Sequence, residues 1–132
     1  MTTILADHNI VGQARLLLGT MEALGWANLL NLRLTTFGAV GLAPDSSDRE
    51  VWRRAQELGM LLLTDNRNND SPDSLEQTLL EELTAASLPV LSVGNAERLR
   101  KDHTYRNACA EQLAEIVADL DRYTGIPRIY IP

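Results

Sequence analysis

The sequence predicts an α/β domain: a three-layer sandwich with a central, mostly parallel sheet of five strands between two helical layers. Three observations point there. Five short apolar runs alternate along the 132 residues with stretches of helical periodicity. The run Met60–Thr64 is almost purely apolar, as a strand buried on both faces must be. Helix start and stop signals fall in the gaps, among them Ser47-Asp48-Arg49-Glu50, Ser71-Pro72 and isolated glycines.

Taken in order, Thr3 to Ala6 is rich in strand formers, too short for a helix, and ends at Asp7. Asn9 is placed to cap the first helix. That helix shows Val11, Ala14, Leu18, Met21 and Leu24 at helical spacing and stops at Gly25. Leu32 to Phe37 alternates and reads as the second strand. Gly38 to Pro44 carries two glycines and a proline, a flexible connection. Ser47 and Glu50 form a capping box, each able to satisfy the other's backbone amide. Val51, Trp52, Ala55 and Leu58 then give an inward face, ended by Gly59.

After the third strand, Met60–Thr64, comes a polar loop, Asp65-Asn66-Arg67-Asn68-Asn69-Asp70. Pro72 suits the first position of the next helix, whose stripe is Leu75, Leu79, Leu83 and Ala86. Leu88 to Val93 is the fourth strand, closed by Gly94-Asn95. A short basic helix follows. Tyr105, Cys109, Leu113, Ile116, Leu120 and Tyr123 mark a long last helix, stopped by Gly125. Ile126 to Ile131 is an edge strand, because Pro127 and Pro132 exclude a central position. Such alternation implies right-handed crossovers. It places a ligand site outside the carboxyl ends of the strands, where Asp7, Asp65 and Asn95 fall.

Length and composition fit one domain spanning 1–132, with 45% apolar and 23% charged residues and no need of a metal or disulfide to fold. No apolar stretch is long enough for a membrane span. Met1-Thr2-Thr3-Ile4 has no basic region ahead of an apolar run, so no signal peptide is expected. The single cysteine, Cys109, falls on an apolar helix face and fits a reducing compartment, so the expected location is cytoplasmic. A net charge of −6 argues against a protein that coats nucleic acid. It is compatible with acidic metal ligands or with a basic partner. Arg98, Arg100, Lys101 and Arg106 lie within nine positions, a candidate nucleic-acid-binding patch for which a solvated loop and helix face is the favoured plain reading.

The acids carry the chemistry. Hard divalent cations need carboxylate oxygens converging from different strands and loops. Asp7 and Asp65 end strands; Asp48 starts a helix; Asp70 lies beyond the third strand. Together they could hold cations that activate water for phosphodiester hydrolysis. Each also has a plainer reading. Asp7 could cap the first helix, Asp48 could serve the dipole in the first turn of its own helix, and Asp65 and Asp70 could be turn formers. His8, His103 and Cys109 are not at zinc-ligand spacing, and there is neither a glycine-rich phosphate loop nor a serine nucleophile elbow.

Ile4-Leu5-Ala6-Asp7-His8-Asn9 resembles the opening of the small PIN-like proteins, a strand ending in an aspartate, often written Leu-x-Asp-Glu-Asn. Ser47-Asp48-Arg49-Glu50-Val51, Ala55, Gly59 and Leu61-Leu62-Leu63-Thr64 resemble their central stretch, Ser-Asp-Glu-Glu-Val, a helix, and an apolar strand closing on threonine. The likeness covers about half the chain, in order. It implies a parallel sheet ordered 3-2-1-4-5, Mg²⁺ or Mn²⁺ as cofactor, and RNA cleavage, often by toxins of toxin–antitoxin pairs. The implied partners are RNA, an antitoxin-type protein and a second copy of the chain.

Asp7 and Asp48 match the family acids, which makes them metal ligands and catalytic residues by resemblance. After the third strand the family writes Thr-x-Asp-x-Asp-Phe. Counted from Thr64, those aspartates fall on Asn66 and Asn68 and the phenylalanine on Asn69. Asparagine ligates through its carbonyl without charge, so a site of Asp7, Asp48, Asn66 and Asn68 should bind metal more weakly. Asp65, the third candidate catalytic acid, is one residue out of register, which on an extended chain turns the side chain to the other side. The expected function is therefore a metal-dependent ribonuclease. The alternative is a degenerate PIN-like binding module without cleavage. A receiver-like or flavodoxin-like domain would share the architecture, but Lys101 is the only lysine and the first strand lacks a receiver's acidic pair.

Overall fold

All five predicted strands form and pair in parallel. They are β1 (Thr2–Ala6), β2 (Leu32–Thr35), β3 (Leu61–Thr64), β4 (Val90–Val93) and β5 (Arg128–Ile131), in one sheet ordered β2-β1-β3-β4-β5. The computed structural model describes residues 1–65 and 71–132. The helices are α1 (Val11–Ala23), α2 (Trp26–Leu29), α3 (Asp48–Leu58), α4 (Leu75–Glu82), α5 (Ala96–Lys101) and α6 (His103–Ala118), with 3-10 turns at His8–Ile10, Phe37–Val40 and Leu120–Tyr123. The α/β class and the five-stranded parallel sheet are as the sequence predicts. The order corrects the 3-2-1-4-5 that the resemblance implies: β3 lies between β1 and β4 and does not pair with β2 at the edge.

The strands alternate their side chains between two apolar layers. Ile4, Ala6, Leu61, Leu63, Leu91, Val93 and Ile131 face α1, α5 and α6. Leu5, Leu62 and Val90 face α3, α4 and the turn at Phe37–Val40. Every residue of β3 and β4 is buried, because both strands are covered on both faces. Burying a leucine fully contributes about 1.5–3 kcal/mol, and Leu5, Leu61 and Leu91 are 0% exposed.

The layer assignment fixes the winding. The chain steps from β1 to β2 through α1 on one face, then back past β1 to β3 and on to β4 through α3 and α4 on the other. These three crossovers share one hand. The last, from β4 to β5, steps the same way as its predecessor but through α5 and α6 on the α1 face, so its hand is opposite. At least one crossover therefore departs from the uniform right hand expected of strand–helix alternation. On that face the apolar stripe of α6 packs beside α1. Tyr105, Cys109, Leu113 and Ile116 complete the layer begun by α1. Cys109 is core, as expected; burial pushes its thiol up to about 11.

Local chemistry explains where elements begin and end. The Ser47/Glu50 capping box forms as predicted. Gly25 and Gly59 adopt the left-handed conformation after their helices. Asn9 does not cap α1; it lies inside the 3-10 turn, and α1 begins after Ile10 with no side-chain cap. The fourth helix starts at Leu75, not Pro72, because Ser74 caps it by accepting from the amide of Gln77. It ends at Glu82, short of Ala86, where the hydroxyl of Ser87 accepts from the amide of Thr84 in a turn. β4 starts at Val90, not Leu88. The backbone of Leu88 is taken by the Gln56 side chain, which donates to its carbonyl at 3.0 Å and accepts from its amide at 3.0 Å. β5 is an edge strand, as its prolines require.

Candidate functional site

In a doubly wound sheet the carboxyl ends diverge where the strand order reverses, here between β1 and β3. Asp7 leaves β1 at that point, its amide donating to the carbonyl of Leu63 at 2.9 Å. Because Ala6 is paired with Leu63, the next residues, Asp7 and Thr64, are cross-strand neighbours. The Thr64 hydroxyl donates to Asp7 Oδ2 at 2.6 Å. Thr64 is 1% exposed, so this charge-assisted bond is shielded from water on one side. Asp7 does not cap the first turn with its side chain.

Asp48 arrives from the other helical layer, in the first turn of α3. Its Oδ2 accepts from the Leu75 amide, the first residue of α4, at 3.1 Å. One carboxylate thus serves the positive ends of two helices. The next residue reinforces that junction. Arg49 donates its amide to the Asp73 carbonyl at 3.2 Å and its guanidinium to Asp73 at 3.0 Å and to the Pro72 carbonyl at 2.9 Å. It also pairs with Glu81 at 2.9 Å and with Glu82. The hydrogen bond that Arg49 donates to Glu82, against the opposing cost of burial, holds its guanidinium above its ordinary pKa.

Asp7, Asp48 and Thr64 line one cavity of about 100 Å³, with His8, Asn9 and Ser46 at its polar wall. Phe37, Val51 and Leu62 close its floor, and the His8 and Phe37 rings lie 6.1 Å apart. Two carboxylates and a hydroxyl are hard oxygen donors, the kind that suits Mg²⁺ or Mn²⁺. They fit a cation that keeps several waters, as Mg²⁺ usually does; an all-protein cage would need more donors. Among the described residues no group of three or more His, Cys, Asp or Glu side chains is placed to hold a metal ion.

The other candidates fall elsewhere. Asp65 is half-buried just beyond β3 and does not line the cavity. Asn66, Asn68 and Asp70 lie outside the described residues. Asn95 caps α5, accepting from the Arg98 amide at 2.9 Å. Each basic residue of the candidate patch has a local partner. Arg98 pairs with Asp102 at 3.1 Å and lies 4.7 Å from the centre of the Tyr105 ring. Arg100 and Lys101 share Glu97, at 2.5 and 3.0 Å, and hold its carboxyl down at about 2. Arg106 donates to the carbonyls of Leu99 and Arg100. These four close the end of α5 and its junction with α6.

Sequence reasoning missed two features of the site: the Thr64 bond to Asp7 and the Leu75 amide on Asp48. The first follows from the adjacency of β1 and β3, which the order 3-2-1-4-5 does not contain. The second depends on where α4 begins. The fold and cavity define a doubly wound α/β domain with an acidic site at its switch point. No family model, no curated protein and no solved structure matches the chain.

Proposed function

We propose that the chain is a PIN-like domain whose strand-end cavity takes one Mg²⁺ or Mn²⁺ and hydrolyses RNA phosphodiester bonds. The observation that supports this reading is that Asp7 and Asp48, 41 positions apart in sequence, line one small polar cavity at the switch point. A bound cation would supply an activated water and offset phosphate charge. Asp7 and Asp48 would hold it, with Asn66 and Asn68 or a displaced Asp65 as further donors. The Thr64 hydroxyl orients Asp7 by occupying its Oδ2. The Leu75 amide orients Asp48 in the same way. RNA as substrate, an antitoxin-type protein partner, a homodimer and a cytoplasmic location belong to the same proposal. No described helix is long and apolar enough to cross a membrane.

A second reading is a binding module that has lost cleavage. It is favoured by what the two acids already do. Each has an internal donor that offsets its charge, so the pair can stand without a cation to relieve its repulsion. The basic residues near α5 are likewise committed locally, which leaves them only a long-range attraction for phosphate.

Calorimetric titration of Mn²⁺ into the metal-free protein, beside Asp7→Asn, separates the two. The nuclease reading expects saturable binding that the substitution removes, and Mn²⁺-dependent cleavage of RNA that disappears with it. The melting temperature should stay level or rise, since a repelling charge is gone and the asparagine carbonyl still accepts from Thr64. Absence of binding at millimolar Mn²⁺ rejects the metal site and leaves the binding module.

A further inference from the structure

At the other end of the sheet, α2 and the second half of α6 leave an apolar groove of about 380 Å³. Its floor is Trp26, Leu30 and Ala114, and Leu29, 79% exposed, stands at its lip. A leucine this exposed beside a half-buried tryptophan is a larger apolar commitment than a scattered surface residue. Along the α6 wall stand Glu111 and Glu115, four residues apart and so on one helix face. Elsewhere on the surface the acids tend to be paired: Glu97 with Arg100, Asp102 with Arg98, Asp119 with Arg122. Glu111 and Glu115 make no ion pair among the described residues. No basic side chain lines the groove.

We infer that this groove is a docking site for a cationic amphipathic helix of another protein, with apolar side chains seated against Leu29 and Trp26 and Lys or Arg one turn apart meeting Glu111 and Glu115. The charge decides the occupant. A second copy of this chain, with net charge −6, would bring no matching basic pair, because its clustered arginines are already held by Glu97, Asp102 and backbone carbonyls. The chain enters α2 and leaves α6 at the amino ends of the strands, opposite Asp7. The groove therefore stands apart from the strand-end cavity, and this inference does not depend on the metal reading.

The probe is a synthetic fifteen-residue helical peptide of leucine and lysine with the lysines one turn apart, labelled for anisotropy, against a twin with glutamate for each lysine. The lysine peptide should bind the wild-type chain and the glutamate twin should not. Leu29→Ser should weaken binding about tenfold, and Glu111→Lys with Glu115→Lys should abolish it and admit the glutamate twin. A control with the same charge change beside and on α3, Asp45→Lys with Glu57→Lys, should keep binding within about threefold. Equal loss in the control would show non-specific attraction and overturn the site, as would no binding by the wild type. Sedimentation gives the remaining outcome: a dimer that Leu29→Ser dissociates would assign the groove to a second copy instead.

Discussion

Asp48 holds two helices together and faces the cavity, and two substitutions separate those roles. Its Oδ2 accepts from the Leu75 amide at 3.1 Å. Asp48→Asn keeps a carbonyl oxygen for that amide and removes the charge; Asp48→Ala removes both. A side-chain bond to a helix N-terminus is worth about 1–2 kcal/mol, and the charge–dipole part alone about 0.3–1 kcal/mol. Unfolding entropy of about 2.1 cal/mol/K per residue over 132 residues gives roughly 0.3 kcal/mol/K. In EDTA the alanine variant should therefore melt roughly 4–7 °C below wild type, and the asparagine variant lower by roughly 1–4 °C and always by less than alanine. Calorimetry with Mn²⁺ should show both variants at least tenfold weaker. An asparagine variant that binds Mn²⁺ like wild type would make Asp48 a tether and no ligand. An alanine variant that melts within about 1 °C of wild type would refute the tether.

Gln56→Leu tests the strand-like pairing of Leu88. Two 3.0 Å bonds are lost, about 1–3 kcal/mol together, read as a lower urea midpoint at unchanged slope; a change under about 0.5 kcal/mol would contradict it. Glu97 gives a pH test. Arg100, then Lys101, depress its carboxyl from 4.5 to about 2 in the folded state. Its contribution is thus fully present above pH 4.5 and is lost as pH falls towards 2. Glu97→Gln should flatten that part of the acid limb of a stability–pH curve, and 1 M salt should erase most of the difference because the pair is exposed. Superimposable curves for the two proteins at low salt would dismiss the bridge.

What was legible in the sequence was whatever the chain states locally. Met60–Thr64 announces a doubly covered strand by composition, Ser47 and Glu50 announce a helix start, and Pro127 and Pro132 exclude a central strand. Each of these acts through neighbouring residues. What was not legible depends on partners far away in sequence. Leu88 has strand-forming character, yet its backbone is claimed by Gln56, 32 positions earlier. Pro72 is a good first helical residue, yet its carbonyl is held by Arg49 and Ser74 offers the better cap. The site shows the same division. Asp7 and Asp48 are visible as strand-end and helix-start acids. That they share a cavity requires the sheet order and the meeting of α3 with α4.

That division bears on what a retained acid means. Thr64 joins Asp7 to the neighbouring strand, and Leu75 joins Asp48 to the neighbouring helix. Both contacts stabilise the metal-free fold, so a chain that had given up cleavage would still lose stability if either acid were replaced by a residue without an acceptor. The presence of these two aspartates is therefore expected under both functional readings and cannot separate them. Asparagine can. It preserves the acceptor at either position and withdraws only the charge, which a cation needs and a tether largely does not. If the asparagine variants at positions 7 and 48 stay folded, with at most the small loss expected at position 48, and lose Mn²⁺, the acids serve chemistry beyond architecture. If wild type binds no Mn²⁺ either, the same two side chains are explained by the strands and helices they join.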